Sequence, residues 1–342
     1  MDEQIERRAR RRPALSPSRA SDFKQCPLLY RFRAIDRLPE PSSTAQLRGS
    51  VVHAALEQLY ALPAAERGPA TALSLVMPAW ERVVAEQPSV ADDIDPALQT
   101  ELLEQARILL SGYYRLEDPT RFDPQSCEQR IEVELEDGTL LRGFVDRIDV
   151  APTGELRVVD YKTGKAPPEA RALAEFKAMF QMKFYAVALL RSRRVLPARL
   201  RLLYLADSQV LDYTPDLDEL LRFEKTLMAI WKAIQSAGVT GDFQPNPSRL
   251  CDWCAHHDHC PAFGGTPPPL PESQPEATAA EPSLAEIPAQ RPQADVPPQL
   301  EDLPEPGTPD QARLPAAEVP PAEVPPAEVP AQRGPLAKPV GG

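Results

Sequence analysis

The stretch from Gly143 to Lys165, GFVDRIDVAPTGELRVVDYKTGK, constrains this chain more than any other. Apolar residues on either side of a turn at Gly154 predict two strands, over 139–150 and 156–161. Residues two apart in a strand share a face. Asp160 and Lys162 therefore point the same way, and hairpin pairing carries Asp146 alongside them. Two carboxylates with an ammonium beside them make an oxygen-rich group suited to Mg²⁺ or Mn²⁺. Such an ion activates water and stabilises charge on phosphoryl oxygens, while the lysine orients the attacking water or stabilises the transition state. An isolated D-x-K is far more often a strand-end ion pair. Here the apolar run 156–159 aims the pair out of a buried strand, and Asp146 recurs at a hairpin-compatible distance.

Around this hairpin the chain reads as mixed α/β. Ser16 and Pro17 suit the N-cap and first position of a short helix that carries Phe23 and Cys26 and ends near Pro27. Residues 47–60 and 97–116 have helical periodicity, the first with Val52, Ala55, Leu56 and Leu59 on one side. Residues 130–135 alternate as a strand, and Asp137 with Gly138 is a hairpin signal. A helix over 169–194, strands over 200–206 and 210–213, and a helix over 216–236 follow. The order helix, three-strand meander, helix, strand predicts a mixed α/β core rather than a doubly wound sheet, with the helices between 60 and 120 inserted on it.

Composition divides the chain near residue 265. Residues 266–342 hold 21 of the 41 prolines and no Phe, Trp, Tyr or Cys, too little apolar surface to offset ordering entropy. Pro-Ala-Glu-Val-Pro occurs at 321–325 and again at 326–330, as in a solvated spacer. The expected organisation is a basic disordered arm over 1–13, a globular domain over 14–265 and a disordered tail over 266–342. The net charge of −12 speaks against nucleic acid until it is apportioned. The tail carries 4 basic and 12 acidic residues, which leaves −4 for the rest, and phosphate binding needs only a local basic stripe. No apolar run is long enough for a membrane span, and no apolar signal segment follows the charged arm. The expected location is the cytoplasm, on the nucleoid. No G-x-x-x-x-G-K-S/T loop offers an ATP site.

Asp146 within G-F-V-D-R-I-D, and D-Y-K-T-G-K at 160–165, resemble the signature of RecB-like nucleases of the PD-(D/E)XK superfamily, such as the nuclease domains of RecB and AddB. The resemblance extends over about 15–263. It implies a restriction-endonuclease-like core that hydrolyses DNA phosphodiester bonds with Mg²⁺ or Mn²⁺, using Asp146, Asp160 and Lys162 catalytically. Gly49-Ser50-Val51-Val52-His53 matches the family's G-x-x-x-H helix, which implies that His53 joins Asp146, Asp160 and the Tyr161 carbonyl as a metal ligand. Glu57 lies one helical turn on, on the same face, either supporting that histidine or serving the helix. Gln181 and Tyr185 match the family's Q-x-x-x-Y pair, which implies positioning of the lysine or contact with DNA; an ordinary helix surface pair is the competing reading.

Cysteines stand at 26, 127, 251, 254 and 260. The C-x₂-C-x₅-C spacing of Cys251, Cys254 and Cys260 is of metal-binding type, and soft thiolates select zinc or iron–sulfur. The resemblance supplies Cys26, within F-K-Q-C-P, as the fourth ligand of a 4Fe–4S cluster. Zinc is the alternative, because His256, His257 and His259 share the loop. Cys127 reads as a non-ligand. The chain is therefore expected to be a deoxyribonuclease, an exonuclease on single-stranded or end-bearing DNA in repair or recombination, with a separate helicase or repair protein as partner. A structure-specific endonuclease and a non-catalytic DNA-end-binding or assembly subunit are the alternatives.

Overall fold

Residues 12–88, 94–167 and 176–271 are described in the computed structural model. Most of the expected basic arm, the start of the helix expected over 169–194, and the tail from residue 272 lie outside them. Short polar side chains decide where the helices begin. Ser16 accepts the Arg19 backbone N–H at 3.2 Å and starts α1 (Pro17–Gln25). After α2 (Pro27–Tyr30), a wider π turn runs over Arg31–Asp36. The next helix, α3 (Thr44–Tyr60), begins earlier than its apolar periodicity suggests, because Ser43 and Gln46 form a capping box. The inserted helices are α4 (Pro69–Ser74), α5 (Val76–Glu86) and α6 (Pro96–Tyr113).

Strands β1 (Ser126–Glu134), β2 (Leu140–Val150) and β3 (Leu156–Lys162) form the expected meander. Helix α7 (Phe176–Arg193) then leads to β4 (Arg199–Tyr204), β5 (Gln209–Tyr213) and α8 (Leu217–Thr240). The sheet has the order β1-β2-β3-β4-β5. Its neighbours are antiparallel except β3 and β4, which are parallel because the chain crosses over through α7.

Both faces of the sheet are covered, and the strand period sorts their contents. On β3, Leu156 and Val158 belong to a core shared with α1, α7 and α8, whereas Val159 and Tyr161 belong to a second core with α3, α5 and α6. Leu202 and Leu203 on β4 divide in the same way. A strand buried on both faces places apolar residues on each, as Leu156 and Val158 do on one side of β3 and Val159 and Tyr161 on the other. Past the expected boundary at 265, the chain still touches this body, where the buried Arg31 donates to the Pro268 carbonyl.

The charged side chain most deeply buried among the described residues lies against the second core. Arg147 of β2 is fully buried, pairing with Glu117 at 2.8 Å and Asp149 at 3.0 Å. It donates to the hydroxyls of Tyr60 at 2.8 Å and Tyr161 at 2.9 Å, and it lies over the rings of Tyr60, Phe122 and Tyr161. Removing one member of a buried ion pair leaves the other charge uncompensated. Arg147→Ala is therefore expected to destabilise the protein by about 3–5 kcal/mol in guanidinium denaturation; a loss below about 1 kcal/mol would show that the network relaxes or hydrates freely.

Candidate active site

At Asp146 both neighbouring ladders break. Register continued between Cys127↔Arg147 and Gln129↔Val145 sets Glu128 opposite Asp146. Register continued past Arg147↔Val159 sets Asp160 opposite it on the other side. Glu128 has a left-handed φ of 44°, a conformation that a non-glycine residue adopts rarely. On the β3 side, the Asp146 carboxylate takes over a ladder position and accepts the Tyr161 backbone N–H at 2.9 Å. Three carboxylates therefore occupy one row across β1, β2 and β3.

Helix α3 lays His53 against this row. Its Nε2–H donates to the Tyr161 carbonyl at 3.0 Å, and its Nδ1 lies 3.4 Å from Asp146 and 3.7 Å from Glu128. His53, Glu128 and Asp146 each offer a ligand atom within 4.8 Å of the others. Imidazole nitrogen with carboxylate oxygens suits a divalent cation, and the buried Asp160 carboxylate, whose Oδ2 pairs with Lys162, adds further oxygen atoms beside them.

Electrostatics agrees with that fit. Burial, followed by the charge of Asp160, raises the pKa of Asp146 to about 7. Burial alone would lower His53, but Asp146, Glu128 and Asp160 outweigh it and raise its pKa to about 9. Protons thus take up charge that a cation would otherwise neutralise, and metal must compete with them.

Lys162 extends the row on the side away from His53. Its ammonium pairs with Asp160 at 2.7 Å and donates to Gln181 Oε1 at 3.1 Å. Gln181 in turn donates to the Tyr185 hydroxyl at 3.3 Å. The Tyr185 ring packs on Gly143, where an added Cβ would meet it at 2.8 Å. That close approach explains the glycine at the head of G-F-V-D. Glu57 pairs with Arg82 at 2.5 Å and lines the same cavity as His53.

The residues expected from sequence are thus brought together, and Glu128 is the one that was missed. Its strand was expected to start at residue 130, which left Glu128 outside any pattern. Only the β1–β2 register reveals it.

A second centre gathers the cysteines. Cys26, between α1 and α2, lines one pocket with Cys251, Cys254 and Cys260. The Asn246 backbone N–H donates to Cys26 Sγ at 3.4 Å, and that of Ser248 to Cys251 Sγ at 3.3 Å. Asn246 also donates through its side chain to the Gln25 carbonyl at 2.9 Å, joining distant parts of the chain at this centre. The histidines of the loop have contacts of their own: His256 with Glu40 at 2.5 Å, His257, which lines the same pocket, with the Cys251 carbonyl at 2.7 Å, and His259 against the Phe32 ring. Cys127 lies apart on β1, its thiol pushed up to about 12 by burial.

A 143-residue match to the Gene 69 protein of Mycobacterium phage L5 is 30% identical and covers 40% of this chain and 45% of that protein. The chain therefore spans less than half of that relative. A crystal structure from Eubacterium rectale, of a protein provisionally assigned as an exonuclease, superposes with a TM-score of 0.49 at 14% identity, covering 71% of this chain and 87% of the other. The sequence model of the PD-(D/E)XK nuclease superfamily matches residues 14–261, across the sheet, the carboxylate row and the cysteine centre, and the chain belongs to that superfamily.

Proposed function

We propose that this chain is a metal-dependent deoxyribonuclease that degrades single-stranded or end-bearing DNA in repair or recombination. The observation that carries the reading is the row itself: Asp146 and Asp160 side by side, His53 at one end, and Lys162 held at the other by Gln181. His53, Asp146 and Asp160, with Glu128 and the Tyr161 carbonyl adjacent, would hold Mg²⁺ or Mn²⁺. The ion supplies Lewis acidity at the scissile phosphate and a more acidic water. Lys162 contributes a fixed positive charge where the pentacovalent oxygens gather charge, and it orients the attacking water. Gln181 and Tyr185 keep that ammonium from swinging to solvent. Among the described residues, no helix is long and apolar enough to cross a membrane.

We assign a 4Fe–4S cluster to the four-cysteine pocket. The support is that Cys26 and the C-x₂-C-x₅-C thiols face one cavity, two of them receiving backbone N–H donors, and that the neighbouring histidines have other partners. The cluster's role would be to clasp two distant parts of the nuclease body, which removes the entropy of a long loop.

Two measurements test these readings. With Mg²⁺ or Mn²⁺, the protein should degrade end-labelled linear single-stranded DNA and spare a closed single-stranded circle. Asp160→Ala and Lys162→Ala should each lower the rate by at least about 10²-fold; if Asp160→Ala cleaves like the wild type, the catalytic reading falls. Cutting of the circle would instead assign an endonuclease. Protein purified without oxygen should be coloured and contain iron and acid-labile sulfide, both lost in Cys26→Ala. A colourless protein loaded with zinc would replace the cluster with a zinc site.

A further inference from the structure

Next to the carboxylate row, between α3, α5 and the β1–β2 hairpin, lies an open cavity of about 280 Å³. That volume is near the lower end of small-ligand sites, roughly 300 Å³. His53 and Glu128 belong both to the metal-binding group and to the cavity lining. Phe144, two residues before Asp146 on β2, also lines it. Although it is a large apolar residue, Phe144 is 54% exposed. The apolar part of the lining is completed by Ala54 and Val83.

The charges around the cavity decide what it can accept. Arg82 is shared between Glu57 at 2.5 Å and Glu86 at 2.9 Å, and His53 faces the carboxylate row. With Glu128 added, the lining offers a phosphate no uncommitted cation among its described residues. A neutral planar ring meets no such penalty. It could lie against the exposed Phe144 face while the carboxylates at the rim accept its amino hydrogens.

We propose that this cavity receives the base of a nucleotide flanking the scissile phosphate, and that Phe144 is its stacking platform. The proposal rests on the nuclease reading and deepens it. A base inside a duplex is stacked and paired and must be extruded to enter such a pocket, whereas a single strand offers its bases freely to an aromatic face. The pocket therefore favours single-stranded or frayed DNA over the interior of a duplex.

The test compares Asp160→Asn with Asp160→Asn/Phe144→Ala, the full chain in each case, by fluorescence anisotropy. The probes are an ordinary single-stranded oligonucleotide and one of equal length made of abasic residues. The expected result is at least tenfold weaker binding of the ordinary oligonucleotide by the double variant, equal binding of the abasic one, and recovery in Asp160→Asn/Phe144→Trp. Equal binding of the ordinary oligonucleotide by both proteins overturns the proposal, as does an equal loss on both probes, which would make Phe144 structural. Cleavage by the otherwise wild-type chain keeps the two readings apart. If it cuts DNA and Phe144→Ala is as active on single strands, only the base pocket fails; if it cuts no DNA, the nuclease reading fails with it.

Discussion

Arg147 and Asp146 are consecutive residues of β2, the first turned into a core and the second, where the ladder is interrupted, into a polar row. The core side holds the site in place. The guanidinium binds α3 through Tyr60, β3 through Tyr161, and the segment after α6 through Glu117. His53 lies roughly two turns before Tyr60 on α3, and Asp160 directly precedes Tyr161. The side chains that lock Arg147 therefore also set how far His53 and Asp160 stand from Asp146. Buried ion pairs of this kind stabilise little relative to apolar packing. What this one contributes is registry, which a row of mutually repelling carboxylates would otherwise lose.

The parts legible in the sequence were those whose signal is local. Strand alternation located the β2–β3 hairpin, Ser16 with Pro17 marked a helix start, and the i, i+4 spacing of Gln181 and Tyr185 put both on one face, where they reach Lys162 together. Glu128 escaped because its significance depends on register: it matters only as the residue opposite Asp146, and a strand edge cannot be located to that precision from composition. Arg147 escaped for a related reason. In isolation it reads as an exposed strand charge, and its burial depends on two tyrosines and two carboxylates, three of the four on other elements. The start of α3 was placed late because apolar periodicity reports the buried face, whereas Ser43 and Gln46 act on backbone donors.

The loop histidines were the hardest to read, since zinc and iron–sulfur sites share their sequence spacing. The engagements of His256 with Glu40 and His257 with a backbone carbonyl explain their presence without ligation. Near that loop Trp253 is 79% exposed, while Leu28, Leu29 and Phe32 line the cysteine pocket itself.

The parallel pairing of β3 with β4 bears on the order in which the carboxylate row and its lysine come together. The β1–β2–β3 meander and the β4–β5 hairpin close over short loops, but β3 meets β4 only after the whole α7 crossover has been brought back. Pairings at larger sequence separation carry the greater loop-closure cost and form late. The contact between Lys162 at the end of β3 and Gln181 on α7 lies within that same crossover. A chain whose meander has formed before α7 packs thus has its three carboxylates adjacent before Lys162 is held by Gln181.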